Sequence, residues 1–311
     1  MNRLSRSIAA PLALLAALAG APVLAEPVAT PAPAVAEAPQ QAAEKPTHPA
    51  LWKVADADTT IYLFGTIHLL PEGIEWYAGP VAEAFEKADL LVTEIPETPD
   101  NESAVMLLKH GTLPAGQTLR GLMNDAERAS FDAAMTKVGM PVNAFDRYKP
   151  WFAAVVLATL PLQREGFNLS NGVENQLDTR NKALQRERIG LETLDYQLSI
   201  FNGFPIEVQK RYLFEVIKAE PTIKEDVAKM IAAWAKGEAA ELATMLNAEE
   251  EDPAMYQALL TNRNKAWAQW IAKRLDEPGT VFIAVGAGHL GGKDSVQDIL
   301  ATSGHSTQRV Q

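Results

Sequence analysis

The chain contains no cysteine. That excludes disulfides as a source of stability and removes thiolates from any set of metal ligands or nucleophiles, so the fold must rest on a packed core. Basic residues are also scarce: 28 Lys and Arg stand against 39 Asp and Glu, for a formal charge of −11. Such a balance disfavours nucleic acid or an anionic membrane surface as partner and leaves peptides, small molecules and divalent cations. Long apolar runs are missing too. The longest, Ile8 to Leu18, is broken by Pro11 and is too short to span a bilayer comfortably. There is no Gly-x-Ser-x-Gly elbow, P-loop, dinucleotide fingerprint or His-Glu-x-x-His. Gly286-Ala287-Gly288 followed by Gly291 has neither the spacing nor the lysine of a phosphate loop.

What is present at the start is an export pattern. Arg3 and Arg6 precede the apolar run, Val23-Leu24-Ala25 offers small residues for cleavage, and Glu26 follows. Residues 1–25 are therefore expected to be a cleaved secretory signal, with an uncleaved anchor as the alternative. Without paired arginines or a lipobox cysteine, the general secretion route and a periplasmic product without a membrane span are expected. Residues 26–49, nearly all Ala, Pro, Glu, Gln, Val and Thr, read as a flexible leader. Residues 50–311 then form one domain, with a helical lobe over about 100–275.

Within that domain, Leu51 to Ala55 and Thr60 to Gly65 read as strands joined by an Asp56-Ala57-Asp58 turn. Gly79 and Pro80 open a helix whose Val81, Ala84, Phe85 and Ala88 share a face, and Leu90 to Ile95 is a buried strand stopped by Pro96. Strand, helix, strand predicts a parallel α/β unit. Helices are predicted over 102–109, 125–138, 151–160, 172–184, 194–201, 206–219, 223–236, 239–246 and 256–275, with one short strand at 188–191. The end returns to a strand at 280–285, a helix at 295–302 and a closing strand at 307–310. The fold class is α/β: a small mixed sheet built from N- and C-terminal strands, carrying a large helical insertion.

Two segments end alike, Phe64-Gly65-Thr66-Ile67-His68 and Val285-Gly286-Ala287-Gly288-His289, although the chain has only five histidines. In each, an apolar strand breaks at a glycine that lets the backbone turn sharply, and a histidine follows. The histidine is then presented beyond the strand's carboxyl end, where open α/β sheets place their ligand sites. Glu94, at the carboxyl end of an apolar strand, is costly to bury unless it is paired or binds a cation. His68, Glu94 and His289 would form an open facial ligand set for manganese, cobalt, zinc or ferrous iron. A bound ion would acidify a water and polarise a carbonyl. Without metal, Glu94 could act as base and a histidine as acid.

Other residues join this set. Arg263 and Asn264 lie on the helix before the last long strand, where Arg263 either clamps a substrate carboxylate, holds Glu94, or makes a surface ion pair. Glu192 either caps the following helix or faces the same cleft, with Gln197 one turn on. Glu174 and Asp178, four apart, read as a solvated helix face. His110 reads as a structural helix end, and His48 and His305 as exposed.

Taken together, Ile61-Tyr62-Leu63-Phe64-Gly65-Thr66-Ile67-His68-Leu69, Ala88-Asp89-Leu90-Leu91-Val92-Thr93-Glu94, Lys149-Pro150-Trp151, Gly190-Leu191-Glu192-Thr193 with Gln197, Arg263-Asn264 with Trp267, and Val285-Gly286-Ala287-Gly288-His289-Leu290 resemble the TraB/GumN family. That family takes in the pheromone-shutdown proteins and the Tiki Wnt-cleaving proteases. The resemblance implies an α/β core with helical additions and, from the Tiki branch, metal-dependent peptidase activity. Its motifs map onto His68, Glu94 and His289, with Gly65, Gly286, Gly288, Asn264, Glu192 and Gln197 in support. Where relatives often have Gly-Val-Asp or Gly-Ile-Asp, this chain has Gly172-Val173-Glu174. The expectation is an exported metal-dependent hydrolase acting on peptide or another small substrate. The alternative is a non-catalytic periplasmic protein that binds peptide, metal or haem.

Overall fold

The computed structural model describes residues 47–247 and 252–311. The expected signal at 1–25 and almost all of the leader lie outside the described residues. β1 (Leu51–Ala55) and β2 (Thr59–Thr66) form the expected hairpin, with Leu51 opposite Phe64 and Ala55 opposite Thr60. Asp56 shapes its turn: the carboxylate accepts the backbone N–H of Asp58 at 3.2 Å and of Thr59 at 2.8 Å, as Asp does in tight turns. After α1 (Gly79–Lys87) comes β3 (Leu90–Thr93). The lobe begins with α2 (Asp100–Gly111), α3 (Asp125–Lys137), α4 (Pro150–Arg164) and α5 (Val173–Ala183), and is interrupted by β4 (Arg188–Gly190). It continues with α6 (Leu194–Gly203), α7 (Ile206–Ala219), α8 (Ile223–Ala235), α9 (Ala239–Asn247), α10 (Pro253–Tyr256) and α11 (Asn262–Arg274). β5 (Gly279–Gly286), α12 (Val296–Thr302) and β6 (Gln308–Arg309) close the chain.

The sheet order is β4-β3-β5-β2-β1-β6, with β4, β3, β5 and β2 mutually parallel and β1 and β6 antiparallel additions. The strand–helix–strand unit from β2 to β3 is parallel as expected, but the two strands are not neighbours. β5 inserts between them, its Ile283 pairing with Leu63 on one side and Val92 on the other.

β5 also shows why the sheet is central. Val281, Ile283 and Val285 share one apolar cluster with Ile61, Leu63 and Val92, closed over by Trp267, Ala268 and Ile271 of α11 and by Val296 and Leu300 of α12. Phe282 and Ala284 point the other way, into a larger cluster with Phe64, Leu91 and the helical lobe. The period-two alternation thus buries both faces, as parallel strands require.

The helix predicted over 256–275 is a composite. A π-helical turn, Gln257–Thr261, separates α10 from α11, and such turns recur beside functional sites. Here it lies directly ahead of Arg263. The predicted Lys149-Pro150-Trp151 segment opens α4: Lys149 Nζ donates to Asn202 Oδ1 on α6, and Trp151 lies 5.8 Å from the Phe201 ring. These contacts pin α6, the helix that carries Gln197.

Candidate functional site

Four parallel strands each deliver one polar residue just past their carboxyl ends. His68 follows β2, Glu94 follows β3, Glu192 follows β4, and His289 lies in a short 3-10 turn, Ala287–Leu290, after β5. This is the end at which open α/β sheets present ligand sites. His68, Glu94 and His289 are under 8% exposed, the Glu192 side chain is 5% exposed, and Arg263, Asn264 and Gln197 are buried with them.

Glu94 sits at the centre. Its Oε1 accepts the backbone N–H of Gly286 at 2.7 Å, and its Oε2 accepts Arg263 Nη2 at 2.6 Å and Gln197 Nε2 at 3.0 Å. Arg263 also reaches Glu192 through Nε, at 3.0 and 3.1 Å to the two oxygens, and through Nη2 at 3.0 Å. Glu192 further accepts Trp267 Nε1 at 3.0 Å and Gln197 Nε2 at 3.1 Å. Of the two readings for Glu192, it does not cap the helix but faces the other site residues; Thr193 caps α6 instead, accepting the N–H of Tyr196. Of the readings for Arg263, it holds Glu94.

His289 is locked from both sides. Asn264 Nδ2 donates to the Asp294 carbonyl at 2.7 Å, which turns its Oδ1 towards His289 Nδ1 at 2.6 Å. Nδ1 therefore carries the proton, and Nε2 accepts from Arg263 Nη1 at 3.2 Å. The Trp267 ring lies 4.4 Å from the imidazole, and the Arg263 guanidinium 4.8 Å from that indole.

His68 has a different partner. Its Nδ1 lies 2.7 Å from Glu174 Oε1, the same oxygen that accepts the Thr66 hydroxyl. Its Nε2 is buried with no hydrogen-bond partner, as is Glu174 Oε2. Glu174 was expected on a solvated face together with Asp178. It is instead only 15% exposed against His68, and Asp178 is 16% exposed between Arg188 at 2.6 Å and Lys182 at 2.8 Å. Glu174 and Thr66 are the site residues that pattern reading missed; the departure at Gly172-Val173-Glu174 was the one local signal. His110, as expected, is structural: its Nε2 meets Asp195 at 2.9 Å, joining α2 to α6. His48 is exposed, and His305 is half-buried.

The glycines matter for approach, not torsion. Gly286 has φ −49°, and neither it nor Gly65 has a positive φ. A Cβ on Gly286 would stand 3.0 Å from Glu94 Oε1, and one on Gly65 would stand 3.0 Å from the Ala287 Cα. The two Gly-x-x-His turns press against each other, and a side chain at either glycine would crowd its neighbour. Gly288 lies within the second of them.

The electrostatics separates the histidines. Burial disfavours the charged form of His289, the Arg263 guanidinium adds to this, and the imidazole is held down at about 3. Burial works the same way on His68, but the Glu174 carboxylate outweighs it and the imidazole is raised above its ordinary 6.5. Burial would raise Glu94, yet Arg263, the two imidazoles and the Gly286 N–H bring it down to about 2. Arg263, buried between two carboxylates, is raised.

The donor types at His68, Glu94 and His289 suit a divalent ion. Their free lone pairs do not. Nε2 of His289 has one lone pair, and Arg263 occupies it; Glu94 Oε2 already accepts two donors and Oε1 one; only His68 Nε2 has no partner. Among the described residues, no group of three or more His, Asp or Glu side chains is arranged to hold a metal ion. Nor is any helix among them long and apolar enough to cross a membrane.

No solved structure matches the chain. An uncharacterized protein of Treponema pallidum (strain Nichols) is 23% identical over 268 residues, which cover 80% of this chain and 79% of that one. The TraB/PrgY/gumN family model matches residues 50–309, from the edge of β1 to the end of β6 and across every element that supplies the site. The chain belongs to the TraB/PrgY/gumN family.

Proposed function

We propose that this site is the hydrolytic centre of an exported enzyme that cleaves peptide bonds, with His68 as its proton-transfer group. The observation that carries the reading is the His68–Glu174 dyad: one ring nitrogen is held by a carboxylate and the other is open. In the neutral ring, Nδ1–H donates to Glu174 and Nε2 is the basic atom. It would take a proton from water as the oxygen attacks the scissile carbonyl, Glu174 would stabilise the imidazolium, and Nε2 would return the proton to the leaving amine. Glu94, at about 2, is too weak a base for this step. Its role, with Arg263 and Glu192, is to fix the carboxyl ends of three strands around the dyad.

A divalent ion at His68, Glu94 and His289 is a second reading, favoured by the excess of carboxylates, Glu94, Glu192 and Glu174, over the single Arg263 guanidinium. Bound there, the ion would supply an acidified water. It requires that His289 Nε2 be released by Arg263.

The test is incubation of the purified protein with a defined peptide mixture, with products read by mass spectrometry. We expect cleavage by the wild type and a loss of at least about a hundredfold in His68→Ala, the scale of a missing general base. Binding of peptide or haem without turnover, or full turnover in His68→Ala, contradicts the reading.

A further inference from the structure

Arg263 has five N–H donors, and the fold engages all three of its nitrogens. Nε is spent on Glu192; Nη1 on the Leu259 carbonyl at 3.1 Å and on His289 Nε2; Nη2 donates to Glu94 and lies 3.0 Å from Glu192 Oε2 as an ion pair. No nitrogen of the guanidinium is left over for a substrate carboxylate. The guanidinium instead touches an imidazole nitrogen and two carboxylates at once, and these are the groups that a cation bound here would touch.

We propose that the Arg263 guanidinium is the resident cation of this site and that a divalent metal ion binds only in exchange with it. Three observations carry this. First, the single lone pair of His289 Nε2 faces Arg263, and the imidazole cannot turn away because Asn264, itself held by the Asp294 carbonyl, fixes Nδ1. A metal ion and the guanidinium therefore compete for one nitrogen. Second, Glu94 and Glu192 are each paired with the same guanidinium, at 2.6 and 3.0 Å. One positive charge balances two buried carboxylates, so a dication taking its place would neutralise the pair more fully. Third, the arginine is built in from the backbone side. The carbonyl of Leu259, inside the π-helical turn, accepts its Nη1, and the Trp267 ring flanks it. The side chain is only 4% exposed, so vacating the seat exposes it to few alternative partners.

The exchange is read by calorimetric titration of the full chain with Mn²⁺, Co²⁺ and Zn²⁺, and peptide turnover plays no part in it. Failure of the hydrolytic reading therefore leaves the result intact, and the reverse also holds. We expect weak binding by the wild type and at least about tenfold tighter binding by Arg263→Gln, a difference of about 1.4 kcal/mol. The gain should vanish in the double variant Arg263→Gln, His289→Ala. Methylguanidinium, which refills the seat, should raise the Tm of Arg263→Gln and weaken its metal binding competitively. Should Arg263→Gln not fold, Arg263→Lys carries the same test. An ammonium cannot span both carboxylates and His289 as the fork does, so its metal affinity should lie above that of the wild type. Tight binding by the wild type that does not improve in either variant overturns the proposal. Absence of metal binding in every variant overturns it equally.

Discussion

His68 and His289 follow matching glycine turns, yet their surroundings are opposite. Around His289 every polar atom is engaged: Asn264 takes one ring nitrogen, Arg263 the other, and Glu94 and Glu192 share the rest of the guanidinium. Around His68 the network stops short, leaving the imidazole Nε2 and one Glu174 oxygen buried and unpaired. Buried polar atoms without partners are costly and few, and a protein that satisfies one half of a site this fully has the means to satisfy the other. The difference separates a structural half, which ties strand ends together, from a reactive half, which keeps a basic nitrogen open.

The comparison breaks most visibly at Arg263. Arg263→Ala leaves Glu94 and Glu192 buried without their cation, and removing one partner of a buried ion pair costs about 3–5 kcal/mol. Calorimetry should show a large drop in Tm, whereas His68→Ala, which deletes no saturated network, should lose far less.

The pH dependence of stability sharpens it next. His289 is held at about 3 in the fold but takes up a proton near 6.5 when unfolded, so stability is full above about 6.5 and falls as pH drops towards 3. Glu94 adds a second loss, from its ordinary 4.5 down to about 2. In His289→Asn the first part of that slope should disappear and the second remain, as read by urea unfolding from pH 7 to 3. His68 has the opposite sign. Raised by Glu174, it contributes stability below about 6.5 that is lost as pH climbs through its folded value.

Smaller effects follow. Gly286→Ala drives a Cβ to 3.0 Å from Glu94 Oε1 and should cost about 1–3 kcal/mol, the usual scale of overpacking. Glu174→Gln keeps the shape and removes the charge, so stability should change by under about 1 kcal/mol. The same change lowers the basicity of His68, and the rising limb of the pH–rate profile for peptide turnover should move to lower pH.

Much of the saturated half was legible in the sequence, because each of its members stands at a local landmark. Glu94 and Glu192 each close an apolar strand, His289 follows a glycine-broken one, and Arg263-Asn264 and Gln197 sit at readable places on helices. The hairpin, α1 and the helical lobe were legible for the same reason. The order of the sheet was not: β5 pairs with both β2 and β3, and pairing between distant segments leaves no local mark. The role of the glycines was misread as torsional, since the contact of Gly65 with Ala287 depends on two distant turns meeting. Glu174 was missed because its spacing from Asp178 imitates a solvated face. Its burial is settled by tertiary contacts alone, among them the Val173 N–H on the Ile67 carbonyl at 3.0 Å. The π-helical turn was invisible because the apolar period runs through it.

The central claim, that one imidazole is a locked neutral strut and the other an open base, can be measured without a substrate. Nitrogen-15 NMR of the histidine rings across pH 4 to 9 reports both the proton count and the tautomer of each. The account requires His289 to stay neutral with its proton on Nδ1 throughout, while His68 titrates above 6.5 with Nδ1 protonated on both sides of the transition. Two rings titrating alike near 6.5, or a His289 that charges before His68, would contradict it.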